Sequence, residues 1–207
     1  MRSPSTSATT SSSDLRLVLA SRSPQREAIL RQLGIPFRVR VSDYAEAAGV
    51  GDPGGLVVAN ARGKAHDVLA HVRHTPGVLV LGVDTVVCLD GVVFGKAADA
   101  AEASACLRTL SGRTHQVYSG ICLTDGRREE TGCAMTKVTF RDLDSQSLDR
   151  YVAAGEWRER AGAYAVQGIG SALVSAIEGD YWNVVGLPVD VLMGALTSFG
   201  VRPFSWL

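Results

Sequence analysis

The stretch VLVLGVDTVVCLDGVVF, residues 78–94, constrains this chain more than any other. Five apolar residues and a glycine lead into Asp84, and Thr85 and more apolar residues follow it. A short aliphatic, β-branched run of this kind reads as a strand buried on at least one face. Asp90-Gly91 then stands between two β-branched runs, the pattern of a tight hairpin. No uninterrupted apolar stretch reaches the roughly 18 residues of a membrane span, and this most apolar region is broken by Asp84 and Asp90. The chain must therefore fold around a buried strand that carries a carboxylate. An isolated carboxylate in such a place is costly unless it is paired, protonated or bound to metal. Asp84 is the first candidate functional residue.

Around this strand, helical and extended patterns alternate. A strand at 15–20 precedes a helix at 24–33, with Gly34 placed to close it. FRVRVS, residues 37–42, alternates apolar and charged residues and predicts a half-exposed strand. Helices are expected at 56–72, 99–110, 145–154 and 188–199, the last opening on Pro188. THQVYSGICLT and CAMTKVTFRDL read as strands flanking a polar turn at 125–130. Helices and hairpins together indicate an α/β protein with a mixed central sheet, and 207 residues, 46% hydrophobic, suffice for one substantial core or at most two small lobes.

Formal net charge is zero, which argues against a protein built to coat nucleic acid or an anionic membrane. Cys88, Cys106, Cys122 and Cys133 lack CxxC spacing and sit in apolar patterns, so buried reduced thiols are expected. The four histidines form no paired ligand spacing, and His71 and His74 are expected to be solvated. Residues 1–13, MRSPSTSATTSSS, read as a disordered tail without the apolar core of a secretory signal, although a short organelle transit peptide has a similar composition. The domain organisation expected is this tail followed by a single domain over 14–207.

Several residues break their local pattern, as happens mostly at functional sites. Arg22 and Arg26 flank the start of the first helix, where Ser23 and Pro24 suit its N-terminus but a cation opposes the helix dipole. Either both arginines are solvated, or an anion is held at this strand–loop–helix junction. Lys64 interrupts the apolar stripe 57, 61, 64, 68, 72. It either snorkels to a rim or holds its charge over a cleft. Lys96, just past the hairpin, lies within reach of the Asp84 region, and Asp with Lys suits a magnesium-bound polyphosphate. Glu46 by itself is an ordinary loop acid, and Gln167 between apolar residues and glycines satisfies backbone or a polar ligand.

In order and spacing, LASRSPQRE, ANARGKA, GVDTVV with GKA, SGRTHQVYSG, VTFR, AGAYAVQG and GDYWNVVGLP resemble the Maf family of nucleoside triphosphate pyrophosphatases, over roughly residues 15–200. The resemblance implies a mixed sheet with a nucleotide-binding cleft, related to inosine triphosphatases. It implies hydrolysis of a nucleoside triphosphate to the monophosphate and pyrophosphate with a divalent metal (Mg, Mn or Co), often in a homodimer. It implies a cytoplasmic role in clearing modified nucleotides or restraining septum formation. By motif, Ser21 and Arg26 fall in the phosphate loop, Glu46 matches the acid after the second strand, and Lys64 and Lys96 match the family's two lysines. Asp84 matches the essential acid, the family's proton acceptor. A metal-ligand role, shared with Glu46, also fits it. Three positions track base choice. Gln25, Thr85 and Gln167 match the dTTP/UTP branch at two of three, and Gln25 matches neither that branch nor the one acting on 7-methyl-GTP. Ala97 in GKA and Ala45 are smaller departures. A nucleotide-binding regulator without turnover is the reading from another class, and the intact set of Asp84, Glu46, Lys64 and Lys96 disfavours it.

Overall fold

The computed structural model of the chain describes residues 15–48 and 51–207. The expected tail, 1–13, lies outside the described residues.

Among the described residues, seven strands form one mixed sheet in the order β2-β1-β3-β5-β6-β7, with β4 paired to β3 alone. The strands are β1 (Arg16–Ala20), β2 (Phe37–Val39), β3 (Val78–Leu89), β4 (Val92–Phe94), β5 (Thr114–Thr124), β6 (Glu129–Phe140) and β7 (Val174–Glu178). β1 pairs parallel with β2 and β3; every other pairing is antiparallel. The helices are α1 (Pro24–Gln32), α2 (Pro53–Val72), α3 (Ala100–Leu110), α4 (Ser145–Ala154), α5 (Tyr181–Val185) and α6 (Val189–Ser198). Parallel pairs need crossovers, and α1 and α2 supply them.

The long β3 organises the core because successive side chains point to opposite faces. Leu79, Leu81 and Val83 pack with Leu17, Leu19, Ile29 and Leu192 on the α1/α6 face. Val78 and Val80 pack with Ala61, Ala65 and Val68 of α2 on the other. Further along, Val87 and Leu89 join a third cluster with Leu107, Leu148 and Trp157. β1 last pairs at Ala20 with Gly82, and β4 first pairs at Val87. Residues 83–86 therefore have β5 on one side and no strand among the described residues on the other. The cleft opens in this gap.

The hairpin at 90–91 is present, with both residues at positive φ (Asp90 51°, Gly91 80°), the conformation a type I′ turn requires. Some expectations need correction. The strand at 37–42 shortens to three residues, because it is an edge strand that among the described residues pairs with β1 alone. The helix expected from 56 starts at Pro53, capped by the Asp52 side chain accepting from the Gly55 N–H. Pro188 is extended and caps α6 rather than opening it. The polar turn contracts as β6 begins at Glu129. β7, α5 and a 3-10 turn at Ile169–Leu173 were not expected. Cys88, Cys106 and Cys122 are free and buried as expected, but Cys133 is exposed on β6. His71 and His74 are solvated. No helix among the described residues is long and apolar enough to cross a membrane.

His115 is fully buried, with Nε2 2.9 Å from the Tyr164 hydroxyl and no partner for Nδ1 among the described residues. Burial holds its imidazole at about 4, against an ordinary value of 6.5. The folded chain thus keeps a neutral ring where the unfolded chain takes up a proton. The associated stability is fully present above pH 6.5 and is lost as pH falls toward 4, by roughly 2 kcal/mol at pH 5. Urea unfolding at pH 7.5 and pH 5 should show this loss in the parent and not in His115→Gln. Equal pH dependence in both would contradict it.

Candidate active site

Two glycines set how the site is assembled. A Cβ on Gly82 would stand 2.0 Å from the Ala61 carbonyl oxygen, and one on Gly120 would stand 2.5 Å from the Val57 carbonyl carbon. Without them α2 rests directly on β3 and β5. Asp84 lies opposite Gly120 in the sheet register and points toward α2. Asn60 and Lys64, one helical turn apart, share the face that meets it.

The Lys64 ammonium lies 2.7 Å from Asp84 Oδ1 and 2.6 Å from Glu46 Oε1. It also donates to the Val83 carbonyl at 3.3 Å. The side chains of Lys64 and Asp84 are 10% and 7% exposed, while Glu46 is 54% exposed. The buried carboxylate is thus paired, and the glutamate reaches in from the loop after β2. Burial alone would raise the Glu46 carboxyl; the hydrogen bond and charge of Lys64, with Lys96 and Arg26, outweigh it and hold the group below its ordinary value. Two carboxylates that converge on one cation make an all-oxygen donor set, which fits a hard divalent cation. Asp84 and Glu46 are the residues that would hold it.

The two arginines of the first helix part company. Arg22 is exposed on the cleft wall. Arg26 is buried: Nε donates to the Gly186 carbonyl at 2.9 Å, Nη1 to Ser21 Oγ at 2.9 Å and the Val83 carbonyl at 3.0 Å, and Nη2 to Thr85 Oγ1 at 3.1 Å. Burial pushes the guanidinium down, against the pull of Asp84 and Glu46. Four of its five N–H groups are used within the protein, so Arg26 chiefly ties the loop after β1 to the open edge of β3. Ser21 Oγ in turn accepts from the Ser23 N–H at 3.2 Å.

Lys96 sits on the opposite wall, exposed, with its ammonium 2.7 Å from Glu159 Oε2. Each cleft lysine therefore has a glutamate partner. Thr85 points to the face opposite Asp84, its hydroxyl 2.9 Å from Ser119 Oγ. Gln25 is half-buried and accepts from Ser23 Oγ at 3.1 Å; Gln167 is exposed at the rim. All nine candidate residues line one cavity of about 560 Å3.

Sequence reasoning missed Asn60, Glu159 and the Val83 carbonyl. Asn60 did carry a signal, a polar residue one turn before Lys64 on a buried face. Glu159 carried none, since only the fold brings it to Lys96. The fold also gathers His66, Cys122 and Glu129. There the Glu129 carboxylate is already met at the surface by the Arg62 guanidinium at 2.8 Å and by His66 Nε2 at 2.7 Å.

Residues 16–199 match the family described as Maf-like protein. A dTTP/UTP pyrophosphatase of Symbiobacterium thermophilum is 47% identical over 191 residues, 92% of this chain and 97% of that one. One from Deinococcus radiodurans is 42% identical over 190 residues, 92% of this chain and 96% of that one. A HAM1 protein from Coxiella burnetii superposes with a TM-score of 0.47 at 20% identity, over 77% of this chain and 91% of that one.

Lys64→Met leaves two carboxylates facing each other without their shared cation. It should cost roughly 3–5 kcal/mol of stability in chelator, the scale of breaking a buried pair. Asp84→Asn added to it should recover much of that loss, because the carboxylate without a partner is then gone. Urea unfolding of the parent, both single variants and the double variant checks this; strictly additive losses would contradict it.

Proposed function

This chain belongs to the Maf-like protein family, and we propose that it hydrolyses a nucleoside triphosphate to the monophosphate and pyrophosphate, with dTTP and UTP preferred. The observation that carries the reading is the Lys64 ammonium held between Asp84 and Glu46 in a cavity of about 560 Å3, a volume in the range of small-molecule sites. The relatives named dTTP/UTP pyrophosphatase support the choice of substrate. So do Thr85 and Gln167.

In this mechanism the triphosphate lies between the two walls. Lys64, Lys96 and Arg22 neutralise its phosphates, each lysine exchanging a glutamate for phosphate oxygens. Ser21 and the backbone at the start of α1 meet the phosphates at a helix N-terminus, and Arg26 fixes that loop. Asp84 accepts the proton of a water whose oxygen attacks the α-phosphorus. The bond from the α-phosphorus to the bridging oxygen breaks, and pyrophosphate leaves with its charge held by the lysines. Asp84 can do this while bonded, since its oxygens keep free lone pairs. A divalent cation (Mg, Mn or Co) held by Asp84 and Glu46 would shield phosphate charge and polarise the reacting phosphoryl group. Gln25, Thr85 and Gln167 set the base preference, as the resemblance implies. A single domain over 14–207 belongs to the same proposal, as do a cytoplasmic location and a homodimer, which rest on the resemblance.

A panel of nucleoside triphosphates assayed for pyrophosphate release with magnesium or manganese tests this. dTTP and UTP should lead in kcat/KM, and Gln25→Arg should widen their lead over purines. Lys64→Ala should lower turnover of every substrate by a similar factor, about ten- to a hundredfold, the scale of a lost charge-assisted hydrogen bond. Release of orthophosphate alone, or no release from any substrate, would contradict the proposal.

A further inference from the structure

Asn60 lies in the motif ANARGKA yet has no part in the chemistry derived above. It is a polar side chain 2% exposed on the face of α2 that packs against the sheet. Such a group is costly to bury unless its donors and acceptor are met. Here they are met from two directions. Its Oδ1 accepts the Ala47 N–H at 2.9 Å, and its Nδ2 donates to the Ala47 carbonyl at 3.2 Å. The same Nδ2 donates to Asp84 Oδ2 at 3.0 Å. The amide orientation is fixed by chemistry, since an N–H can only donate and a carboxylate can only accept.

The two oxygens of Asp84 are thus divided between two side chains one helical turn apart. Lys64 takes Oδ1 at 2.7 Å and Asn60 takes Oδ2. Lys64 also takes Glu46, the residue next to Ala47. The loop that carries Glu46 is therefore held to α2 by two adjacent residues, one through its side chain and one through its backbone. Only an amide side chain offers an acceptor for the loop N–H together with donors for the loop carbonyl and the carboxylate.

We propose that Asn60 is a positioning residue that locks the Glu46 loop and the Asp84 carboxylate into one register, so that the two acids face the same point in the cleft. The kinetic part of this proposal rests on the pyrophosphatase reading; the part concerning the loop does not. The Asn60 amide oxygen and nitrogen are spent on Ala47 and Asp84, so its effect passes through Asp84 and Glu46. Losing it frees the loop and lets the Asp84 carboxylate rotate, while the cations that bind phosphate stay in place.

The test combines amide hydrogen exchange with kinetics on the full chain. In Asn60→Ala the Ala47 amide should exchange at least about tenfold faster, the scale of one lost hydrogen bond, with β3 and β5 amides unchanged. The value of kcat for dTTP should fall at least about tenfold and KM should stay within about threefold. Glu46→Gln should then cost less in the Asn60→Ala background than in the parent. Asn60→Asp, which keeps the acceptor for the loop N–H but faces Asp84 with a carboxylate, should retain protection of Ala47 and still lose turnover. Asn60→Ser serves in place of Asn60→Ala should the latter not fold. Unchanged exchange at Ala47, turnover within threefold of the parent, or an equal cost of Glu46→Gln in both backgrounds would overturn the proposal. If the parent releases no pyrophosphate from any triphosphate, the functional reading fails and the exchange result alone decides the clamp.

Discussion

The cleft depends on how closely α2 approaches the sheet. Where β3 and β5 pass beneath it, the facing residues are Gly82 and Gly120, and any side chain there would collide with the helix backbone. The helix answers with Ala61 and Ala65, both fully buried. At this separation an asparagine and a lysine one turn apart span the remaining distance to Asp84. With the helix farther out, their short bonds to the carboxylate could not form. A buried charge tolerates such a change badly, because its desolvation is offset only by partners in good geometry.

The second constraint is the gap in the sheet. β1 stops at Ala20 while β3 continues, which leaves the Val83 carbonyl on an edge without a strand partner among the described residues. Two cations take it, Arg26 from one face and Lys64 from the other. The pleat then sends Asp84 and Thr85 to opposite faces. The acid meets α2, and the threonine meets Arg26 and the Gly186 carbonyl. An unsatisfied sheet edge, which would be a liability elsewhere, becomes the place where charged groups from three segments converge. Lys64 and Lys96 each carry a glutamate, yet with Arg22, Arg26 and Arg160 also in its lining, against Glu46, Asp84 and Glu159, the cleft keeps a positive excess.

Much of this was legible in the sequence, for identifiable reasons. β3 and its hairpin follow from an aliphatic run ended by Asp-Gly, and Asp84 stands out because a carboxylate in such a run must be compensated. Lys64 stands out because it breaks an apolar stripe. What stayed hidden depends on distance across the fold. Glu159 reaches Lys96 from 63 residues away, and no local pattern marks it. Arg26 reads as a phosphate ligand by its place at a helix start, yet its acceptors include a carbonyl 160 residues away. β7 and α5 are short, and tertiary pairing outweighs their weak local signal.

The central claim is that Asp84 directs water to the α-phosphorus of a bound triphosphate. Hydrolysis of dTTP in oxygen-18 water, with mass analysis of both products, tests it most directly. The account predicts the label in thymidine monophosphate and none in pyrophosphate, with turnover sharply reduced in a folded Asp84→Asn variant. Label in the pyrophosphate would place the attack at the β-phosphorus, and the assignment of the cleft would have to be abandoned.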